Sequence, residues 1–236
     1  MSTTHGTTHA TTLTWLGHAC WQLKTGGVSI LLDPFLTGNP AAPVSASDVA
    51  ADYILISHGH GDHVGDAAAI ANRTGATVIS SYEITEWLRT NHGVKHVIGG
   101  NLGGGVNLPF GRVKLTLAHH SSMLPDGTYG GNPCGFLVTL ADKKIYFACD
   151  TGLFLDMQLI GRAVIDVAVL PIGDLFTMGP DDALEAVKML NPRRVVPSHF
   201  NTWPPIAQDA NAWAARVKAE TSAEPTVLAP GGSLTL

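Results

Sequence analysis

The sequence is poor in charged residues and cysteine, and it contains no long apolar run. Only 14% of the 236 residues are charged and 45% are hydrophobic, but no apolar stretch approaches the roughly 18 residues of a membrane-spanning helix. The cysteines, Cys20, Cys134 and Cys149, are widely spaced and form no CxxC pair, which argues against a disulfide framework and a thiolate zinc site. We therefore expect a soluble protein of the reducing cytoplasm, without a membrane partner.

Positive charge is also scarce. The formal net charge is -5, and the only adjacent basic pairs are Lys143-Lys144 and Arg193-Arg194. Non-specific nucleic-acid binding depends on neutralising phosphates with basic side chains. We therefore expect a small-molecule substrate and no nucleic-acid partner. The lightly charged composition leaves surface for self-association, so a homo-oligomer is compatible with it.

The first twelve residues differ in composition from the rest of the chain. They are rich in threonine, contain His5 and His9, and lack the basic flank and apolar core of a signal peptide. We interpret residues 1–12 as a flexible tail whose histidines are not ligands. Residues 13–236 are long enough to form one domain with a substantial core.

Strand-like and helix-like segments alternate along the remainder of the sequence. The predicted strands are 13–16, 21–23, 29–33, 53–57, 113–117, 136–140, 145–149, 166–172 and 195–198. The predicted helices are 67–72, 84–89, a helix from Pro180 to the Asn191-Pro192 stop, and 210–220. Periodicity alone therefore predicts a mixed α and β protein, with a similar order of elements in each half.

Residues 58 to 63 combine three imidazoles and one carboxylate. They read His58-Gly59-His60-Gly61-Asp62-His63 and directly follow an apolar segment. Borderline divalent ions such as zinc prefer imidazole and carboxylate ligands, and the glycines permit a tight turn. We expect the first two histidines to bind one ion and the final Asp-His pair to face a second. The competing interpretation is a solvated turn that is rich in histidine by chance.

Further candidate ligands follow other predicted strands. His119 and His120 follow one strand, and because neighbouring side chains alternate, both cannot easily bind the same ion. Asp150 ends another strand, where a carboxylate could bridge two ions or simply cap a turn. His199 ends a third strand. A lone histidine there is usually structural, and only the other motifs make it a candidate ligand.

Three more polar residues could serve the same site. His18 could bind substrate or shuttle protons, and Asp33 could accept the free N–H of a ligand histidine. Asn201 could donate a hydrogen bond to a developing oxyanion. The structural alternatives are a hydrogen-bonded core imidazole, a turn-capping carboxylate and an amide that satisfies its own turn.

The motif at residues 58–63 resembles the signature of the metallo-β-lactamase-fold hydrolases. The segments that resemble the small prokaryotic branch related to ascorbate-6-phosphate lactonase are 15–20, 33–40, 171–174, 177–180 and 197–202. This resemblance implies a four-layer αββα sandwich, His120 rather than His119 as a ligand, and His199 as the last ligand. Cys149 stands where related sequences usually have glycine, so its thiol could either approach a metal or be buried and inert.

Together these patterns predict a binuclear metal-dependent hydrolase. The expected metal ligands are His58, His60, His120, Asp62, His63, Asp150 and His199. Zinc suits them best, and manganese, iron and nickel are compatible. We expect a hydroxide that bridges two ions to attack the substrate, with either Asp62 or a metal-bound water protonating the leaving group. The favoured substrate is a small metabolite, which can be anionic, with a lactone or cyclic ester first. The alternatives are a phosphodiesterase acting on nucleotides or phospholipids, and a metal-binding protein without significant hydrolytic activity.

Overall fold

The computed structural model describes residues 10–236, and within them the strands form two seven-stranded sheets. The chain begins the first sheet with β1 (Thr12–Trp15), β2 (Trp21–Thr25), β3 (Val28–Leu32), β4 (Tyr53–Leu55), β5 (Thr77–Ser81) and β6 (Val97–Gly100). The second sheet contains β7 (Gly105–Leu108), β8 (Gly111–Leu117), β9 (Cys134–Thr139), β10 (Lys144–Phe147), β11 (Val167–Pro171), β12 (Arg194–Ser198) and β13 (Glu224–Pro225). The last strand, β14 (Ser233–Thr235), returns to the first sheet beside β1.

The described helices cover the outer faces of the sheets. They are α1 (Gly61–Val64), α2 (Ala67–Thr74), α3 (Tyr82–His92), α4 (Met157–Gly161), α5 (Pro180–Leu190) and α6 (Ala210–Glu220), with one 3-10 turn at Pro204–Ile206. No helix in residues 10–236 is long and apolar enough to cross a membrane. His5 and His9 lie outside the described residues.

Each sheet has an antiparallel part and a parallel part. In the first sheet, β14, β1, β2 and β3 pair antiparallel, and β3 to β6 pair parallel. In the second sheet, β7 to β10 pair antiparallel and β10 to β13 pair parallel. The two halves of the chain therefore repeat one plan, as the order of predicted elements indicated.

Alternating side chains on the central strands pack into two different cores. Ile30 and Leu55 belong to the large core that also contains Phe136 of the second sheet, so the sheets pack face to face. Leu31 and Ile54 point the other way and pack with the apolar side chains of α2 and α3. The packing of the sheets against each other and of helices against the outer face of the first sheet agrees with the predicted αββα sandwich, which is confirmed.

The helix boundaries follow local capping. As predicted, α5 begins at Pro180, and it ends where Asn191 adopts a left-handed conformation. The predicted helix 84–89 is longer in the structure, because the Ser81 side chain accepts a hydrogen bond from the Ile84 N–H and starts α3 at Tyr82.

Several strand boundaries differ from the prediction. β1 already includes Thr12, and the Leu236 N–H bonds the carbonyl of Thr11, so ordered structure begins before residue 13. β10 ends at Phe147 instead of residue 149, because Cys149 adopts a left-handed conformation with φ of 55° that a strand cannot contain. The strands β5, β6, β7, β13 and β14 were not predicted.

Candidate metal centre

The candidate ligands lie at one edge of the two sheets, on loops that follow strands and, for Asp62 and His63, in the short helix α1. His58 follows β4 of the first sheet. The second sheet contributes His120, Asp150 and His199, which follow β8, β10 and β12. His18 lies in the turn between β1 and β2. Because both sheets contribute, the site forms only when the two halves of the chain pack together.

The backbone turns sharply where these loops leave their strands. His18, Asp33, Cys149 and His199 all have positive φ angles, between 43° and 55°. This left-handed conformation is uncommon for residues other than glycine, and its strain persists only where the surrounding structure enforces it. Backbone strain is therefore concentrated at this edge of the sheets, at or next to the residues whose side chains form the site.

His58, His60 and His120 form what we call the first cluster. Their ring centroids lie 4.5 to 5.1 Å apart, and their available nitrogens lie within 4.8 Å of one another. The intervening Gly59 permits this packing, because a β-carbon there would lie only 3.1 Å from the backbone of Met123. The first cluster offers three nitrogen ligands to one ion, as the sequence motif predicts.

Asp62, His63 and His199 form what we call the second cluster. The Nε2 atom of His63 lies 3.8 Å from Oδ2 of Asp62, and the His63 and His199 rings stack with centroids 5.7 Å apart. His18 lies close enough to join this group as a fourth potential ligand. His63 and His199 are buried, whereas Asp62 is partly exposed.

Asp150 lies between the two clusters. Its Oδ2 atom is 3.7 Å from Nε2 of His120 in the first cluster. The same oxygen is 3.3 Å from Nε2 of His63 and 3.1 Å from Nε2 of His199 in the second cluster. One buried carboxylate oxygen thus faces imidazoles of both clusters, which is the position that a bridging ligand requires.

Asp33 supports histidines of both clusters. Its carboxylate accepts hydrogen bonds from the Ser57 N–H at 2.8 Å, the Ser57 hydroxyl at 2.6 Å and Nδ1 of His63 at 2.9 Å. Because the Ser57 hydroxyl donates to Asp33, its oxygen accepts from Nδ1 of His58, 2.9 Å away. Nε2 is therefore the atom that His58 and His63 would offer to a metal, and the contacts of Asp33 suit the orienting role suggested for it.

His18 connects Asp62 to Thr202. Its ring lies 3.1 Å from Asp62 Oδ2 through Nε2 and 2.8 Å from the Thr202 hydroxyl through Nδ1. Burial lowers the pKa of His18 to about 4 despite its hydrogen bond to Asp62, so the ring is neutral at pH 7 and carries one proton. Because the Asp62 carboxylate can only accept, Nε2 donates to Asp62 and Nδ1 accepts from Thr202.

The electrostatics of the two clusters differ. Burial lowers the pKa of His58, His60 and His120, which keeps these imidazoles neutral as metal binding requires. Burial opposes a charge on His63 as well, but Asp150 and Asp33 outweigh it and hold the pKa of His63 well above its usual value. Burial would raise the pKa of Asp150, and the nearby His199 and His63 instead hold it well below its usual range.

Buried nitrogen and oxygen atoms without hydrogen-bond partners indicate whether these residues suit metal ions. Within residues 10–236, His63 Nε2, Asp150 Oδ1 and His199 Nδ1 have no hydrogen-bond partner. Leaving buried polar atoms unpaired is costly. The unpaired Nε2 of His63 lies 3.3 Å from Asp150 Oδ2, and a cation held between these two groups would satisfy it. The donor set of imidazoles and carboxylates therefore fits divalent ions such as zinc.

His119 and Cys149 lie beside the site without facing it. His119 stacks on Phe154 with ring centroids 5.2 Å apart, and its backbone bonds Thr151 and Gly152. The structure thus places His120 in the first cluster and His119 outside it. The Cys149 thiol points back toward the carbonyl of Phe147, and burial raises its pKa well above the usual value, which makes it a poor thiolate ligand.

The structure does not place Asn201 beside the candidate ligands, so its oxyanion role stays a prediction without geometric support. Asn201 has a φ of 58°, and its side-chain oxygen accepts a hydrogen bond from the Gln208 N–H at 2.7 Å. It lines a separate cavity beside Trp15 and Phe200. The amide satisfies its own turn, because the chain reverses direction immediately after His199 and carries residue 201 away from the ligands.

A cavity of about 640 Å³ opens directly above the candidate ligands. Its floor includes His60, Asp62, His120, Asp150 and His199. This size is typical of pockets for small molecules. The arrangement can therefore bring a small substrate into contact with both clusters.

The apolar walls of this cavity were not predicted from the sequence. They are formed mainly by Leu175, Phe176, Trp203, Pro205 and Ile206. Leu175 and Phe176 lie between two of the segments that carried the family resemblance, and the other three residues lie within four positions after the segment 197–202, but their side chains gave no chemical signal of their own. Only the pairing of β11 with β12 brings the two segments together.

Comparisons with known proteins agree with this geometry. Residues 12–199 match the family model described as a β-lactamase superfamily domain. The chain is 51% identical over 232 residues to a UPF0173 metal-dependent hydrolase of Heliobacterium modesticaldum, covering 95% of this chain and 97% of that protein. It is 50% identical over 222 residues to one from Thermus thermophilus, covering 94% and 97%.

A solved structure is also similar along the whole fold. Igni18, a metallo hydrolase from the hyperthermophilic archaeon Ignicoccus hospitalis, superposes with a TM-score of 0.87 at 37% identity. The match covers 97% of this chain and 99% of that chain.

Proposed function

Because the chain belongs to the β-lactamase superfamily and is a metal-dependent hydrolase, we propose that it binds two divalent ions and hydrolyses a small lactone or cyclic ester. The first cluster would hold one ion and the second cluster the other, with Asp150 between them. Zinc is the ion that we expect first. We further propose that residues 13–236 act as a single domain in a reducing cytoplasm, in keeping with three free thiols.

The position of Asp150 is the observation that carries the binuclear proposal. A single carboxylate oxygen approaches one imidazole of the first cluster and two of the second within 3.1 to 3.7 Å. A site for one ion would not need imidazoles on both sides of this oxygen. A site for two ions needs such an arrangement, because a carboxylate shared by two nearby cations reduces their mutual repulsion.

Bound ions would acidify water and polarise the scissile carbonyl, which is the chemistry that the chain itself lacks. Asp62 lies on the cavity floor, where its carboxylate can accept a proton from an attacking water and return it to the leaving oxygen. His18 donates to Asp62 from the buried side and so fixes the direction of this carboxylate. The apolar walls limit the access of bulk water to the reacting atoms.

A metal titration coupled to hydrolysis tests this proposal. The protein is stripped of metal, reloaded with zinc or manganese, and assayed with lactones and with phosphodiesters while elemental analysis gives the metal content. We expect two ions per chain, and lactone hydrolysis that follows occupancy of the second ion. Asp142→Ala, which changes an exposed carboxylate in the turn before β10, is the matched control and should behave like the unaltered protein.

Three results would replace the proposal. Fewer than two ions after full reconstitution would contradict the binuclear site. Faster hydrolysis of phosphodiesters than of any lactone would favour a phosphodiesterase. Tight binding of two ions with no turnover in either panel would favour a metal-binding protein without hydrolytic activity.

A further inference from the structure

The side chains at the mouth of the cavity are apolar and exposed. Leu175 is 67% exposed and Phe176 is 55% exposed, and both line the cavity above the ligands. Trp203 and Pro205 lie along the other segment of the wall. Contiguous exposed apolar surface at the mouth of a pocket is characteristic of a binding site.

The loop that carries Leu175 and Phe176 is held in place. Asp174 and Leu175 both adopt left-handed conformations, with φ of 63° and 50°. The Asp174 side chain accepts from the Leu175 N–H at 2.8 Å, and the buried Met178 donates its N–H to the carbonyl of Thr151 at 2.9 Å. Because Thr151 directly follows Asp150, the loop is tied to the candidate metal centre. The turn has a strained backbone and exposes two apolar side chains to solvent. Both features are unfavourable in the free protein, and a role in ligand binding would explain why they are present.

Trp203 is also fixed by its neighbours. Its ring contacts the buried His18 with centroids 4.9 Å apart, and Phe35 with centroids 6.0 Å apart. The aromatic wall is therefore anchored to the network that holds Asp62. An aromatic ring that is fixed before binding loses little entropy when it receives an apolar group.

The charges around the cavity are confined to its floor. The acidic residues that line it are Asp62 and Asp150, and none of the lining residues among residues 10–236 is Lys or Arg. The nine preceding residues contain neither residue type. An anionic group placed between the walls would lose hydration without gaining a cationic partner.

We propose that the substrate carries an uncharged apolar substituent, aliphatic or aromatic, which binds between the Leu175–Phe176 loop and Trp203. This inference deepens the proposed function and rests on it for the identity of the reacting group. It also limits where an anionic substrate could carry its charge. A negative group would suit the metal-binding floor of the cavity but not its apolar walls. The reacting ester lies at the floor, and its substituent extends toward the mouth.

A series of γ-lactones tests the inference on the metal-loaded protein. The series contains the unsubstituted lactone, 5-butyl and 5-hexyl lactones, and a lactone whose 5-substituent has the length of hexyl but ends in a carboxylate. We expect kcat/KM to rise about fourfold for each methylene that the walls bury. The terminal carboxylate should cancel most of this gain.

A pair of leucine variants shows whether the dependence of kcat/KM on substituent length arises at the proposed cavity wall. Leu175→Ala removes a cavity wall, whereas Leu159→Ala removes a similarly exposed leucine that lines a different cavity. The ratio of kcat/KM for the hexyl lactone to that for the unsubstituted lactone should fall about tenfold or more in Leu175→Ala. The same ratio should not change in Leu159→Ala. Equal ratios in the two variants would overturn the assignment of the walls.

Binding of inert lactams separates this inference from the proposed function. Affinities of metal-loaded protein for γ-lactams with the same substituents are measured by calorimetry. Affinity that rises with chain length supports the apolar subsite, even if no lactone is hydrolysed and the proposed reaction fails. Affinity that is independent of chain length, or greatest for the carboxylate, overturns the subsite whether or not lactones are hydrolysed.

Discussion

The first and second clusters lie side by side but are held in different ways. The first contains only imidazoles, and His60 and His120 are partly exposed at the cavity. The second contains a carboxylate and two buried imidazoles, and it adjoins His18. The His199 N–H donates to the carbonyl of His18 at 3.1 Å, so the second cluster also joins the two sheets.

This difference predicts that the two clusters respond differently to substitution. Removing a residue from the second cluster disturbs charged groups that are buried between the sheets, where an unpaired charge is costly. Removing a residue from the first cluster mainly removes a neutral ligand beside solvent. We therefore expect changes to the shared bridge to be most damaging, followed by changes to single ligands, to supporting residues and finally to the strained backbone.

Asp150→Ala should produce the largest effect, because it removes a carboxylate oxygen that faces imidazoles of both clusters. Two ions without the shared carboxylate would repel each other. We expect loss of the second ion and a fall in kcat/KM of about a thousandfold or more. Elemental analysis and turnover are measured together with Asp142→Ala. Retention of two ions and full turnover would show that Asp150 only caps its turn.

His120→Ala and His119→Ala compare a first-cluster residue with its neighbour in the chain. His120→Ala removes one of three nitrogens and should lower metal affinity and activity by about two orders of magnitude or more. His119→Ala removes a ring that stacks on Phe154, so its effect on metal affinity should be no more than about tenfold. Metal titrations on both variants show which of the two neighbouring histidines binds metal. Loss of binding in His119→Ala alone would contradict the structure.

Asp33→Asn tests the support that the two clusters share. An amide retains the size of the side chain but replaces one oxygen with an NH2 group, so it cannot accept all three hydrogen bonds that the carboxylate accepts from the Ser57 N–H, the Ser57 hydroxyl and His63 Nδ1. We expect a loss of about 10 to 100-fold in affinity for both ions. Asp52→Asn, at an exposed carboxylate that bonds the Ser29 N–H, is the control. A loss confined to the second ion would show that Asp33 does not act on His58 through Ser57.

Cys149→Gly and Cys149→Ala measure the strain beside Asp150. Both remove the thiol, but only glycine adopts a φ of 55° without a steric cost. The glycine variant should be more stable than the alanine variant by about 1 kcal/mol. Denaturant unfolding of the metal-free variants gives this difference. Equal stabilities would mean that the turn at the second cluster carries no measurable strain.

Much of the fold could be predicted because it depends on local patterns. Alternating apolar residues predicted most of the central strands, and Pro180 with its flanking acids predicted the start of α5. The edge strands were missed because short strands such as β13 and β14 are defined by their partners and not by their own composition. Asn201 lines a separate cavity, since proximity to His199 in the chain does not determine direction after a left-handed turn.

The sequence by itself determined which chemistry is available, because metal ligation requires particular side chains and the motif at residues 58–63 supplies them in one loop. It also determined that further ligands would follow strands, where loops of a sheet edge meet. Only the tertiary structure decided that one oxygen of Asp150 faces both clusters, that Asp33 supports both, and that Leu175 and Trp203 enclose the cavity. These relations join residues far apart in the chain, and they depend on strand order, sheet packing and strained turns that no local pattern specifies.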